Sequence, residues 1–305
     1  MVGIVSMKTQ DPHIDTDLAR GLVKSQFPHW ASLDVTLVAE EGWCNRAFHL
    51  GEQMVLRMPR HLAYAEQVKK ECDWLPRLAP RLPLSIPEVL AIGAPSEDYP
   101  WNWSICRWIE GETAKPDRVH NMVNVALDLA GFLAALQSID TQDGPPPGPH
   151  NFYRGGPLAT YDNQTLEAVA ALGGNIDTAA VLEVWERALA SSWQGPPVWI
   201  HGDVSVGNLL VRSGQLRAVI DFGNLGVGDP ACDLAMNWTV FEPGTREAFR
   251  HRLPLDADTW ARGRGWVLWK ALILASGFTS SNAFEASRPW SVIEEILSDH
   301  RRTDA

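Results

Sequence analysis

Three oxygen-bearing side chains at fixed spacing carry the clearest chemistry in this sequence. They are Asp203 in His201-Gly202-Asp203, Asn208 five residues later, and Asp221 in Asp221-Phe222-Gly223. The apolar run Val198-Trp199-Ile200 precedes the first motif. Leu209-Leu210-Val211, a turn at Ser213-Gly214 and the apolar stretch 216–220 separate it from the second. That pattern predicts strand, loop, strand, turn, strand, loop, with Asp203, Asn208 and Asp221 at the mouths of neighbouring strands. Phosphoryl transfer needs such a set. One carboxylate orients or accepts the proton of an attacking hydroxyl, and an amide oxygen with a second carboxylate holds the metal that bridges the phosphates. Mg²⁺ prefers hard oxygen donors of this kind. Either motif alone reads as an ordinary turn; the two together, in order and bracketed by strands, point to chemistry.

The elements that must position these residues fall into two groups. Residues 12–28 read as a surface helix. Residues 35–39, 47–50 and 54–58 read as strands, the last two joined by a tight turn at Gly51-Glu52, with Pro59 closing the third. Val68, Cys72, Leu75 and Leu78 recur at spacings of four and three, which predicts a helix over 64–78. A proline-bearing connector at 82–87 leads to strands at 88–92 and 103–108. Helices dominate after Gly111. Val119, Met122, Val123, Ala126, Leu129, Ala130, Leu133 and Leu136 give a long helix with a broad apolar face. Residues 141–156, with Pro145-Pro146-Pro147, form a long loop of the kind that is often functional. Further helices are expected at 177–191, 230–241, 244–252, 256–278 and 289–300, around a short β interlude at 198–220. The expected architecture is mixed α/β (α+β) and bilobal: a small β-rich N-terminal lobe, residues 1–107, and a larger, mainly helical C-terminal lobe, residues 108–305. Ligands often sit between such lobes.

His-Gly-Asp-x-x-x-x-Asn followed by Asp-Phe-Gly resembles the aminoglycoside phosphotransferase and choline-kinase group of the protein-kinase-like fold, in which His-Gly-Asp stands where protein kinases carry His-Arg-Asp. The run Val219-Ile220-Asp221-Phe222-Gly223 and the stretch Gly228-Asp229-Pro230-Ala231-Cys232-Asp233-Leu234-Ala235 are similar to the antibiotic kinases. The resemblance covers roughly residues 35–240. It implies Asp203 as catalytic base, Asn208 and Asp221 as Mg²⁺ ligands, and ATP or GTP as phosphoryl donor. It also implies a phosphate-covering loop at 41–48, with Gly42 and Asn45, although only one glycine is present there. Arg57 stands where the family has a strand lysine, as in the Leu-Arg-x-Pro-Arg run of some macrolide kinases. Arginine keeps its charge and can grip phosphate with two N–H groups, but in a different geometry. Glu71 on the following helix is the implied partner of Arg57. Backbone groups near Arg107 and Ile109 are implied to bind the base. Either member of the Arg57–Glu71 pair could equally be a surface ion-pair residue. His201 reads as a packed histidine that fixes its loop, and Asp229-Pro230 as a helix start with Asp at the N-cap and Pro at N1. The family uses the Asp229–Asp233 region as a brace for the catalytic loop.

The acceptor is expected to be a small molecule, an aminoglycoside-type antibiotic first, then a macrolide or a small alcohol such as choline or homoserine. Candidate wall residues are Phe152, Tyr153, Tyr161, Asp162, Glu242, Asp256, Asp258, Trp260, Trp266, Trp269 and Glu285, although Trp266 and Trp269 also suit a helical core. A non-catalytic pseudokinase module is the rival reading, and retention of Asp203, Asn208 and Asp221 speaks against it. With 26 Lys and Arg against 37 Asp and Glu, the net charge of −11 gives no basic footprint for nucleic acid. Four scattered cysteines form no metal-type cluster and fit a reducing cytoplasm. Nine histidines include no His-Glu-x-x-His. Residues 1–8 are too short and weakly apolar for a signal peptide. The apolar stretch 266–278 is shorter than the roughly 20 residues that a membrane span needs. A cytoplasmic monomer or homodimer that binds neither membrane nor nucleic acid is expected.

Overall fold

Alternating apolar residues build the first sheet. A computed structural model of the chain describes residues 12–39, 42 and 44–303. Its strands β1 (Val35–Leu37), β2 (Asn45–Leu50), β3 (Met54–Pro59), β4 (Val89–Gly93) and β5 (Trp103–Arg107) form one antiparallel sheet in the order β1-β2-β3-β5-β4. Gly51, at φ +58°, makes the tight turn between β2 and β3. Phe48, Leu50, Leu56, Met58, Trp103 and Ile105 point into a core closed by Ala19, Leu22 and Val23 of helix α1 (Thr16–Gln26). Asp15 caps α1 by accepting the Leu18 N–H at 2.9 Å. Helix α2 (Leu62–Leu78) follows β3.

The chain divides into two compact units: residues 1–73 with 88–108, and residues 74–87 with 109–305. Residues 74–87, which the sequence places before a single cut near 107, group with the second unit. Ser85 exchanges backbone hydrogen bonds there with Arg217 and Val219.

In the second unit, helix α3 (Met122–Gln137) is capped by Asn121 and buries Leu129, Phe132, Leu133 and Leu136. Strand β6 (Glu112–Thr113) pairs with β8 (Leu209–Arg212), which pairs with β9 (Gln215–Val219). Strand β7 (Val198–Ile200) pairs with β10 (Gly226–Gly228). Helices α4 (Asp162–Leu172), α5 (Thr178–Leu189), α6 (Met236–Thr239), α7 (Pro243–Arg252), α8 (Ala257–Ala275), α9 (Ala283–Ala286) and α10 (Pro289–Thr303) complete it. Helix α8 is buried almost all round, with Arg262 and Arg264 among its buried residues, and α4, α5 and α10 pack on it. Among the described residues no helix is long and apolar enough to cross a membrane.

The structure departs from the sequence reading in several further places. Helix α4 was not anticipated, because its buried positions Thr165, Ala168, Val169 and Leu172 have helical spacing but little hydrophobic contrast. β6 and β10 are two and three residues long, too short to leave a pattern. The helix expected over 230–241 is a 3-10 turn, Pro230–Leu234, followed by the single turn of α6. Val119 lies ahead of the Asn121 cap and outside α3.

Candidate active site

β7 delivers the chain to His201, and the turn at 201–208 returns it into β8. Gly202 takes φ +81°, and a Cβ there would lie 2.5 Å from the Asn224 carbonyl oxygen, so only glycine fits. Buried Asp233 holds the start of the turn: its two oxygens accept the N–H groups of His201 and Gly202, each at 2.7 Å. Asp233 is anchored by the Pro230–Leu234 turn, whose N-cap, Asp229, accepts the Ala231 N–H at 3.0 Å. Asp229 also takes Arg262 Nε at 2.6 Å, in an ion pair with side chains 4% and 8% exposed.

His201 is fully buried. Its Nδ1 accepts the Asp203 N–H at 3.2 Å, which leaves Nε2 to donate to the Ile220 carbonyl at 3.0 Å. Burial pushes its pKa down, in keeping with that neutral tautomer. The packed-histidine reading is what the geometry shows: the ring ties the residue ahead of Asp221 to the backbone of Asp203.

The three chemistry-bearing residues converge. Asn208 Nδ2 donates to the Asp203 carbonyl at 2.8 Å and to Asp203 Oδ2 at 3.1 Å. The Ile220 N–H donates to the Asn208 carbonyl at 2.8 Å, which sets Asp221 beside the same turn. Asp221 adopts the left-handed conformation, φ 63°, a strained backbone of the kind that gathers at functional sites. Burial first, and the Asp221 charge second, push the half-buried Asp203 carboxyl up to about 6; Arg154 and Lys270 pull against that rise, and Glu285 adds to it.

These donors fit Mg²⁺. Asn208 commits its amide nitrogen to Asp203, which turns Oδ1 into the remaining donor, and two mutually repelling carboxylates stand beside it. Among the described residues there is no group of three or more His, Cys, Asp or Glu placed to hold a metal ion by themselves. A site of one amide and one or two carboxylates, completed by phosphate oxygens and water, does not need one.

In the first unit, Arg57 on β3 donates Nη1 to Glu71 Oε2 of α2 at 2.6 Å, with the side chains 14% and 5% exposed. The expected pairing is therefore made, and it is a buried pair. Gly42 is exposed and lies next to the Asn45 carbonyl, while Asn45 opens β2 opposite Pro59. Glu41 and Trp43 of the expected phosphate loop lie outside the described residues. Arg107 is exposed at the end of β5, with its side chain on Glu88 at 2.6 Å and its N–H given to the Glu88 carbonyl. That N–H is engaged within the sheet edge. Ile109 is half-buried in the second unit.

Most of the expected acceptor wall is engaged elsewhere. Asp162 accepts Trp185 Nε1, Asp256 caps α8, and Asp258 pairs with Arg187. Trp260 packs between Trp238 and Phe249. Trp266 and Trp269 are 4% and 6% exposed, so they are core residues rather than an open wall. Glu285 is the acid of that group whose charge reaches Asp203. Sequence reasoning missed the two cations beside Asp203, Arg154 and Lys270. Lys270 lies one turn beyond Trp266 on α8, a spacing that could have drawn attention to it.

The family model described as "Phosphotransferase enzyme family" matches residues 35–266, well over half of the chain. Two aminoglycoside 3'-phosphotransferases of Escherichia coli are similar over shorter stretches. One is 39% identical over 69 residues, 21% of this chain and 26% of the relative; the other is 27% identical over 164 residues, 50% of this chain and 59% of the relative. The chain therefore matches less than two thirds of either relative's length. Among solved structures, the GDP and kanamycin complex of APH(2")-IIia superposes with a TM-score of 0.69 at 20% identity, over 92% of this chain and 99% of that one. Macrolide 2'-phosphotransferase MphH from Brachybacterium faecium superposes at 0.61 and 22% identity, over 90% and 98%. These likenesses show the protein-kinase-like fold of such enzymes.

Proposed function

The chain belongs to the phosphotransferase enzyme family, and on that footing we propose that it is a small-molecule kinase that moves the γ-phosphoryl group of ATP or GTP onto an acceptor hydroxyl. The observation that carries this reading is that Asp203 and Asn208 are bonded within one turn and that Asp221 stands beside it. In the proposed step the hydroxyl oxygen bonds to the γ-phosphorus as the bond from that phosphorus to the β–γ bridging oxygen breaks. Asp203 orients the hydroxyl and takes its proton, and the nucleoside diphosphate leaves with the bridging oxygen. Asn208 and Asp221 would hold Mg²⁺, which supplies neutralising charge for the phosphates. Asp233 and His201 fix the turn that carries Asp203. Residues 1–107 are proposed to bind the nucleotide, with Arg57, oriented by Glu71, on its α- and β-phosphates and Gly42 and Asn45 in the loop that covers them. Backbone groups near Arg107 and Ile109 would meet the base, through atoms other than the engaged Arg107 N–H. Residues 108–305 are proposed to supply catalysis and acceptor binding.

For the acceptor, the family points first to an aminoglycoside-type antibiotic. A second reading has its own observation. Asp162, Asp256 and Asp258 are already partnered, which leaves Glu285 as the acid of the expected wall that acts on Asp203, and the positive charges of Arg154 and Lys270 act there against it. That balance favours an acceptor with at most one amino group, such as a macrolide or a small amino alcohol, over a polycation. A phosphate-transfer screen over aminoglycosides, macrolides and small alcohols, each with ATP and GTP, tests both. Turnover confined to polycationic acceptors would remove the second reading, and no turnover with any acceptor would remove the first proposal.

A further inference from the structure

The long loop at 141–156 carries Arg154, whose backbone and side chain are both held in place. Phe152 and Tyr153 take successive left-handed conformations, φ 50° and 54°, an unfavourable state for bulky residues that surrounding contacts must impose. Those contacts are present. Tyr161 Oη donates to the Phe152 carbonyl at 2.7 Å, buried Asn151 donates Nδ2 to the Arg154 carbonyl at 3.1 Å, and the Asp229 N–H donates to the Gly155 carbonyl at 2.8 Å. The backbone on both sides of Arg154 is thereby fixed.

The side chain is fixed as well. Its guanidinium carbon lies 4.9 Å from the Trp266 ring centroid and 5.0 Å from that of Trp269, within cation–π range of both. Tyr161 stacks on Trp269 at 4.0 Å and 31°, and Trp269 Nε1 is tied to Gln164 Oε1 at 2.8 Å. From this aromatic grip Arg154 Nε donates to the Gly202 carbonyl at 3.0 Å. Gly202 precedes Asp203 and, at φ +81°, has no Cβ to limit its backbone. Asp233 restrains its N–H and Arg154 its carbonyl.

We infer that Arg154 is a positioning residue for phosphoryl transfer: gripped by Trp266 and Trp269, it fixes the Gly202 carbonyl and so the backbone that aims the Asp203 carboxylate. The inference rests on the phosphotransferase reading for its catalytic consequence, but its structural consequence is independent of that reading. Small misplacements of a catalytic group are costly, on the order of 10²-fold for about 1 Å.

The test uses the full chain with Arg154→Gln and Arg154→Lys. One arm measures phosphate release from Mg²⁺·ATP and Mg²⁺·GTP without acceptor, and transfer to any acceptor found by the screen. The other measures amide hydrogen exchange over residues 201–208. For Arg154→Gln, kcat is expected to fall about 10²-fold with KM for nucleotide little changed, and exchange over 201–208 to quicken while α3 and β3 stay as in the wild type. Arg154→Lys should lie between, and added methylguanidinium should restore part of the lost kcat in Arg154→Gln. Trp269→Phe, which keeps an aromatic face but loses the Gln164 bond, serves if the Arg154 variants fold poorly; it should shift both readouts the same way by less. Wild-type kcat with unchanged exchange at 201–208 overturns the inference, as does exchange that quickens equally throughout the chain. A wild type with no turnover overturns the phosphotransferase reading instead, and the exchange arm still decides on Arg154.

Discussion

Two pairs of aspartates, Asp229 with Asp233 and Asp203 with Asp221, lie within about thirty residues of one another and do different work. Asp229 and Asp233 are buried and matched by donors: Asp229 by the Ala231 N–H and Arg262, Asp233 by the N–H groups of His201 and Gly202. Among the described residues Asp203 receives the Asn208 amide on its side chain, is pushed up to about 6, and faces the charge of Asp221. Burial pushes the Asp233 carboxyl up as well, so the contrast lies in partners: a carboxylate matched by buried N–H donors holds structure. A carboxylate held short of partners beside another acid is ready for a proton or a cation. The first pair builds the platform and the second stands on it.

Exchanging the consequences of substitution between the pairs would break that contrast. Asp203→Ala should lower transfer by about 10²–10⁴-fold and leave the urea midpoint at pH 7 no lower than the wild-type value. A variant that keeps near-normal turnover would show that Asp203 is not the base. Asp233→Ala should do the reverse first: it strands two buried N–H groups that had charged acceptors, and stability should drop by about 2–4 kcal/mol, measured by urea unfolding. Arg262→Met leaves Asp229 buried without its cation and should cost about 3–5 kcal/mol. An unfolding midpoint unchanged in either would remove the platform role.

The pH dependence sharpens the same comparison. Folding raises the Asp203 carboxyl from 3.8 to about 6, so the folded chain binds the extra proton between those values. Its stabilising effect is full below about pH 4 and is lost as pH rises through 6. Asp203→Asn removes the charge, so in metal-free protein it should raise Tm at pH 7, by on the order of 1 kcal/mol or about 2–4 °C, with the gain vanishing near pH 4. A gain that is the same at both pH values would mean that the Asp203 charge is not the cause. The smallest effect is expected in the first unit. Arg57→Lys keeps the charge facing Glu71 but loses the fork geometry, and nucleotide affinity measured by calorimetry should weaken by only about 3–10-fold.

The platform and the site differed in how well the sequence announced them. Asp203, Asn208 and Asp221 were legible because turn residues bracketed by strands leave a pattern in one dimension. The β2–β3 hairpin and α3 were legible through their two-residue and helical periods. The Arg57–Glu71 pair was foreseen as a pair, but its burial was not, since exposure depends on what packs above it. Asp258 and Asp162 looked like free acids for a cationic acceptor because Arg187 and Trp185, 71 and 23 residues away, leave no local sign of their partnership. Arg154 was invisible for the same reason: its meaning lies in Trp266, Trp269 and Gly202, which only folding brings to it. Helix α4 escaped because Thr165 and Ala168 make up half of its buried face and weaken the apolar contrast.

The most direct measurement is paramagnetic. Mn²⁺ in place of Mg²⁺, added with nucleotide to isotopically labelled protein, broadens the amide signals of residues near the ion. Selective broadening at residues 202–208 and 221–223, abolished in Asp221→Ala, is the expected result. Broadening elsewhere in the second unit with these segments unaffected would contradict the assignment of Asp203, Asn208 and Asp221 to one metal–phosphate site.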